Sequence, residues 1–498
     1  MRINKGFIQA LLLLVILNIL LRFPITPHEI GSDSFYIHNL AKLIVTTSYA
    51  KWLIHPLSFF GLIPYSYASG APHLLAVSTI LTEMDMEWNI YFTSLLFGLF
   101  GIFTAFVLAG EFSNNFYFKY LVAFLFSASP LAIKYTLWTI PARGPFLMML
   151  PLFIWCIIKA HKLRSHKFML IGFFLFLILA SIHKMFILIL PILVAYVIAI
   201  YFQSISNKFD KTYFPYALVC LFVFIYITQF IYLGGGYDES WWGLLYLQSW
   251  EGYNYIPLQG WFYCIGGAFL TMGARLGPLL PLAMIGLGHI IFKKDKSDLD
   301  WFVIFVFLAF VPILSFTEYI YQMLLPFFSI LSVIGISYIS EKKFYYLLII
   351  VFVCFSLFSL DVRYTNTDQF GIRNYMSEET YALASFIKEN TNNEEITGYE
   401  TRRIAPFISN PVTMTNSIDS LAYGYDDDLQ LDLEIKTIPV SLNEMMDFVR
   451  GPFINTEFLQ NSDRCSCYSV GFDEGISPTQ DLANNIYTNK LFRFWHLV

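Results

Sequence analysis

Asp33 is the residue in this chain best placed to do chemistry. It lies in ITPHEIGSDSFYIHNLAKLI (25–44), just past an apolar segment that ends near residue 23. A carboxylate held at a membrane surface can take a proton from an acceptor hydroxyl or ligate a metal ion. The plain alternative is that Asp33 caps the helix that follows, whose apolar face is Phe35, Leu40, Leu43 and Ile44. Three cationic positions fall at the ends of apolar segments. Arg143 follows Trp138-Thr139-Ile140-Pro141, His183-Lys184 separates two apolar runs, and Arg275 sits in MGARLGP. A cation at the lipid–water boundary suits a lipid phosphate or pyrophosphate. Taken singly, each could equally snorkel toward head groups. Having three on one face favours anion binding.

The remaining polar signals are weaker. Glu83, Asp85 and Glu87 place three acids in five residues, a cation site or simply a solvated helix end. His55 and His73 flank the same early region, where a lone histidine is usually structural. GGGYDESWWGLLY (234–246) is a phosphate cradle or a flexible turn. Cys465 and Cys467 form a C-x-C pair with no further ligands at zinc spacing, so a strained disulfide and two free thiols both stand. No Walker sequence, G-x-S-x-G, H-E-x-x-H or dinucleotide fingerprint occurs. The sequence demands no cofactor. A divalent cation, magnesium or manganese, is compatible with the carboxylates, but no metal ligand set is assigned.

The elements that must position these residues are membrane helices. Hydrophobic residues make up 57% of the 498 and charged ones only 13%, against about 25% in soluble domains. Mean hydropathy is +0.58. One soluble core cannot absorb that deficit, because cores stop growing near ~250–300 residues. With about 20 apolar residues per span, crossings fall near 6–23, 89–110, 119–138, 145–160, 168–182, 185–203, 213–232, 278–292, 301–317, 321–339 and 344–360. That makes about eleven. Two shorter apolar stretches, 71–83 and 261–274, read as re-entrant or interfacial helices. The first span follows Arg2 and Lys5 and lacks a small-x-small cleavage site, so it reads as an uncleaved anchor rather than a signal peptide.

Orientation follows from the basic residues of short loops. Arg2 and Lys5 share a side with Lys159, Lys162, Arg164 and Lys167, with Lys208 and Lys211, with Lys293, Lys294 and Lys296, and with Lys342 and Lys343. The N-terminus is therefore expected in the cytoplasm of a multi-pass cell-membrane protein, and an odd number of spans puts the tail outside. The chain divides into a transmembrane part, 1–361, with a long first outside loop at 24–70, and a soluble extracytoplasmic part, 362–498. The soluble part reads as α/β, with a helix over 377–390, short strands in NEEITGY and NPVTMTN, and a closing hairpin that turns at Thr488-Asn489. With a net charge of −5 and no basic stripe, nucleic acid is not an expected partner.

Together these segments resemble the GT-C fold of polyprenyl-phosphate-dependent glycosyltransferases, the group of protein O-mannosyltransferases, the lipid A aminoarabinose transferase and the oligosaccharyltransferase catalytic subunit. Four stretches carry the resemblance: GSDSF at Asp33, YASGAPHLLAVSTIL, SPLAIKYTLWTIPARG (129–144) and YIYQMLLPFFSIL (319–331). It implies an α-helical polytopic fold, a sugar donor linked to polyprenyl or dolichyl phosphate, and a glycan, lipid or protein acceptor. Asp33 becomes the matched catalytic carboxylate, Arg143, Lys184 and Arg275 candidates for the donor phosphate, and His55, His73, Glu318 and Gln322 candidates for substrate contact. The sequence departs from the pattern in places. ARGPF has no acid after the third span, Gln322 stands where the late span carries arginine, and the tail lacks Trp-Trp-Asp-Tyr-Gly. These departures disfavour asparagine-linked transfer. Two readings of other classes are a flippase for lipid-linked glycans, which would need charges inside several spans, and a scaffold presenting the outer domain.

Overall fold

A computed structural model describes residues 5–48, 70–206, most of 273–310, 318–339 and parts of 350–413, together with three strands between 468 and 497. The expectations for 213–232, 261–272, His55 and the C-x-C pair lie outside the described residues, as does most of 344–360.

The helices are α1 (Lys5–Leu21), α2 (Ser32–Thr47), α3 (Gly70–Thr82), α4 (Met86–Phe112), α5 (Phe116–Ser127), α6 (Pro130–Lys134), α7 (Arg143–Leu163), α8 (His166–Ile182), α9 (Ile189–Ser206), α10 (Leu279–Phe292), α11 (Asp298–Phe310), α12 (Glu318–Ile339), α13 (Glu378–Asn390) and α14 (Thr401–Ile404). Among the described residues, four helices are long and apolar enough to cross a membrane: Met86–Phe112, Arg143–Leu163, Met185–Gln203 and Tyr319–Ile339. Five shorter apolar helices accompany them. The apolar window of Tyr319–Ile339 is 89% buried and that of Met185–Gln203 only 33%, so α12 is central and α9 peripheral. The outward faces of α8 and α9 expose Met169, Leu170, Phe173, Phe174, Leu190 and Val194, a continuous apolar surface suited to lipid.

Local sequence sets the helix ends. Asp85 accepts the Glu87 N–H at 2.9 Å and starts α4, while Asn115 accepts the Tyr117 N–H and starts α5. The span expected over 119–138 is broken. α5 stops at Ser127 because the Ser129-Pro130 step disfavours helix before proline. The Ser129 hydroxyl then caps α6 through the Ala132 N–H at 3.1 Å. The break frees residues 135–142 to form a loop at that end of the bundle. Helices α10 and α12 cross at van der Waals range, since a Cβ at Gly286 would lie 1.9 Å from the Leu331 carbonyl oxygen and one at Gly335 2.2 Å from that of Leu282. Small residues of this kind let membrane helices approach closely.

In the C-terminal region β1 (Ile396–Gly398), β2 (Val412–Thr413), β3 (Tyr468–Phe472), β4 (Ala483–Thr488) and β5 (Phe492–Leu497) form one mixed sheet in the order β2-β1-β3-β5-β4. β1 runs parallel to both β2 and β3, whereas β5 is antiparallel to β3 and β4. The register of β4 on β5 shifts between Asn485 and Tyr487.

Candidate functional site

The polar residues singled out in the sequence converge where the segment before α2 meets the loop before α7. The Ile30 N–H donates to the Trp138 carbonyl at 3.1 Å. Gly31 has φ +98°, and a Cβ there would sit 2.8 Å from the Thr139 hydroxyl oxygen, so conformation and space both call for glycine. The Ile140 N–H donates to the Ser34 hydroxyl oxygen at 3.0 Å, and Ser94 donates to the Thr139 carbonyl at 2.6 Å. Trp138 is held at φ +41°, a conformation that costs a bulky residue about 1–3 kcal/mol. Its surroundings enforce it: the indole N–H donates to the Glu87 carbonyl and the ring stacks on Trp88 at 5.5 Å.

This seam sets Asp33 against Arg143. Arg143 Nη2 lies 2.9 Å from Asp33 Oδ2, across 110 residues of sequence. Asp33 sits in the first turn of α2, whose N-cap position is Gly31 with no side-chain cap bond. The carboxylate is thus turned to the arginine and not to the helix end, which removes the capping alternative. Both side chains keep a window to the outside, 36% for Asp33 and 21% for Arg143. The guanidinium lies between two aromatic rings, 5.7 Å from the Tyr135 centroid and 5.2 Å from that of Tyr319. The next residue must be small, because a Cβ on Gly144 would come 2.3 Å from the Tyr135 carbonyl oxygen.

Gln322, fully buried on α12, donates its Nε2–H to the Tyr135 hydroxyl at 2.8 Å. Asp33, Arg143, Tyr135 and Gln322 therefore form one connected chain. His183 borders it, edge-on to Tyr319 at 5.5 Å, with its Nδ1 accepting the Met185 N–H. Lys184 begins the 3-10 turn Lys184–Leu188, and Glu318 begins α12. His73 lies half-buried on α3, and Arg275 lies half-buried just ahead of α10.

The acidic run 83–87 divides its work. Asp85 caps α4. Glu87 turns inward, 3.1 Å from His28 Nδ1 and 2.7 Å from the Glu29 N–H. Among the described residues no three His, Cys, Asp or Glu side chains group as metal ligands.

The C-terminal region packs over the same end. The Met376 N–H donates to the Glu29 carbonyl, His28 stacks on Tyr381 of α13 at 4.2 Å, and Lys42 donates to the carbonyls of Pro406 and Ile408 at 2.6 and 2.9 Å. Burial, aided by Lys388, pushes Lys42 down to about 8. Burial also opposes a charge on His28. The Glu87 carboxylate, with Glu378 and Glu29 beyond it, outweighs that and raises its pKa above the ordinary 6.5.

Sequence reasoning passed over Tyr135 and Tyr319, took Glu29 only as an outside-loop charge, and read Glu87 with Glu83 and Asp85 as a cation site or a solvated helix end. Each of the first two lies within a family-like stretch, Tyr135 in 129–144 and Tyr319 in 319–331, which was the available signal. Glu29 had none, since its partners lie in other segments.

No protein-family model matches the chain, and no curated protein does. Solved structures do. Archaeal oligosaccharyltransferase AglB from Archaeoglobus fulgidus, in complex with an inhibitory peptide and a dolichol-phosphate, aligns with a TM-score of 0.54 at 11% identity, covering 82% of this chain and 64% of that one. The A. fulgidus enzyme tethered to an acceptor peptide containing the NVT sequon gives 0.58 at 12%, covering 82% and 64%. Its apo form gives 0.55 at 11%, covering 81% and 64%. The chain thus spans a little under two thirds of the length of these neighbours. At such identity the likeness speaks to architecture, and the architecture is GT-C-like.

Proposed function

We propose that the chain is a membrane glycosyltransferase that moves a sugar from a polyprenyl- or dolichyl-phosphate donor to an acceptor on the extracytoplasmic face, with Asp33 as the base. The observation that carries this reading is the Asp33–Arg143 pair, a partly open carboxylate and an aromatic-walled guanidinium brought together from distant segments. The ligands of the neighbours, a dolichol-phosphate with an inhibitory peptide in one and an acceptor peptide in another, belong to those proteins and agree with it. In the proposed reaction the acceptor oxygen attacks the anomeric carbon. Its proton passes to Asp33, the bond from that carbon to the phosphate oxygen breaks, and the lipid phosphate leaves with the electron pair. Arg143 offers five N–H donors in a fixed fork, enough to hold Asp33 and a phosphate oxygen together. Tyr135 and Tyr319 keep its plane fixed. Lys184 and Arg275 are further candidates for the phosphate.

The proposed setting is a cell membrane, with the N-terminus cytoplasmic and residues 362–498 outside. Donor lipid, membrane lipids and a glycan, lipid or protein acceptor are the partners. A divalent cation, magnesium or manganese, is compatible with this reading.

The test is transfer of labelled sugar from dolichyl-phosphate donors in membranes holding the wild-type chain or Asp33→Asn. Transfer that collapses in the variant supports the enzyme. Movement of the donor across the bilayer with no transfer would show a flippase. No effect on either, with the outer domain intact, would show a scaffold.

A further inference from the structure

We propose that Glu29 is a positioning residue whose buried carboxylate sets the separation of Asp33 and Arg143. Glu29 is fully buried and so cannot touch a substrate. Its Oε1 lies 2.5 Å from His38 Nδ1, and its Oε2 accepts the Ser34 hydroxyl at 3.0 Å. A hydroxyl has one hydrogen to give, and here the carboxylate takes it. That leaves the Ser34 oxygen lone pairs facing the Ile140 N–H at 3.0 Å. Ser34 adjoins Asp33, and Ile140 lies three residues before Arg143. Glu29 is thus one hydroxyl away from both halves of the ion pair.

Its backbone adds two more ties. The Glu29 N–H donates to Glu87 Oε1 at 2.7 Å, and its carbonyl accepts the Met376 N–H at 3.2 Å. Reacting groups must be held to about 0.5 Å, and a misplacement of about 1 Å can cost on the order of 100-fold in rate. An apolar residue at 29 would free the Ser34 hydroxyl to rotate and would loosen the Ile140 contact.

The consequence for turnover rests on the transferase reading; the geometry does not, so the primary readout is independent of any substrate. The full-length chain in detergent is labelled with phenylglyoxal, and modification of Arg143 is followed by mass spectrometry. Asp33→Asn, which removes the ion pair, sets the upper reference. Glu29→Ala and Ser34→Ala should each raise Arg143 labelling by about 2- to 100-fold, and the double variant should add little to the larger single effect. Glu29→Gln, whose amide oxygen still accepts from Ser34, should restore slow labelling. In sugar transfer, Glu29→Ala should lower kcat far more than it raises KM. A merely structural role would lower the unfolding temperature while leaving labelling of the folded fraction unchanged. Unchanged labelling in Ser34→Ala and Glu29→Ala preparations that elute and melt as the wild type does would overturn the proposal. Where the wild type transfers no sugar, the transferase reading falls and the labelling still decides the role of Glu29.

Discussion

The two ends of the helical bundle use charge in different ways. At one end Asp33 meets Arg143 across 110 residues, walled by Tyr135 and Tyr319 and held by hydrogen bonds from Ile30 to Trp138 and from Ile140 to the Ser34 hydroxyl. At the other, Lys159 and Lys162 share Glu111, and Lys293 pairs with Asp300 only seven residues on. Those lysines are 30–41% exposed along the side chain. Lys162 and Lys293 line a cavity of about 400 Å³ that also carries His289 and Asp298. By helix length the ends stand some 30–40 Å apart. The carboxylate side chains paired with those lysines are buried, Glu111 at 5% and Asp300 at 12% exposure, so these pairs neutralise buried acids and tie helix termini together. The Asp33 end carries a left-handed tryptophan, a glycine that nothing larger can replace and a buried carboxylate. Local rules are broken there in concert, as happens where geometry serves chemistry.

Breaking the Asp33 end should have the largest effect. Asp33→Asn should reduce sugar transfer by about 10²–10⁴-fold, measured as initial rate at saturating donor, with little change in thermal stability. Arg143→Lys keeps the charge but loses the fork and the fit between two rings, and should cost on the order of 10–100-fold in kcat/KM for the lipid-phosphate donor. Gly286→Ala touches neither end. Overpacking against the Leu331 carbonyl should cost about 1–3 kcal/mol in unfolding experiments.

A pH series sharpens the contrast further. His28, raised by Glu87, Glu378 and Glu29, contributes stability that is full below its ordinary 6.5 and is lost as pH rises through the raised value. The unfolding temperature should therefore decline above about pH 6.5, and His28→Gln should flatten that decline. Lys42, depressed to about 8, acts oppositely. Its unfolded form binds more protons between about 8 and 10.5, so its contribution to stability rises with pH there. Lys293→Ala at the far end removes the cation beside the buried Asp300 carboxylate and should lower stability by about 1–3 kcal/mol while leaving transfer untouched.

Much of the helical framework was legible because apolar runs and their polar caps are local signals. Spans expected at 6–23, 89–110, 145–160, 168–182, 278–292 and 321–339 lie on described helices with ends shifted by a few residues. The segment at 119–138 was misread because hydropathy is blind to Ser129-Pro130, which ends one helix and opens a loop. Asp33 and Arg143 stood out singly through type and position, and Gln322 only through the family resemblance. That they form one chain was not legible, since the link is Tyr135, and a tyrosine in an apolar run looks like core. Glu29 was the deepest omission: an acid in an outside loop reads as solvated, and only tertiary contacts with Ser34, His38 and Glu87 show it buried.

The most direct measurement is a cryo-electron microscopy map of the full chain with dolichyl phosphate bound. The phosphate should lie within about 3 Å of the Arg143 guanidinium, with the Asp33 carboxylate facing the same space. A phosphate seated at the far end beside Lys162 and Lys293, with the Asp33–Arg143 pair closed and untouched, would contradict the account.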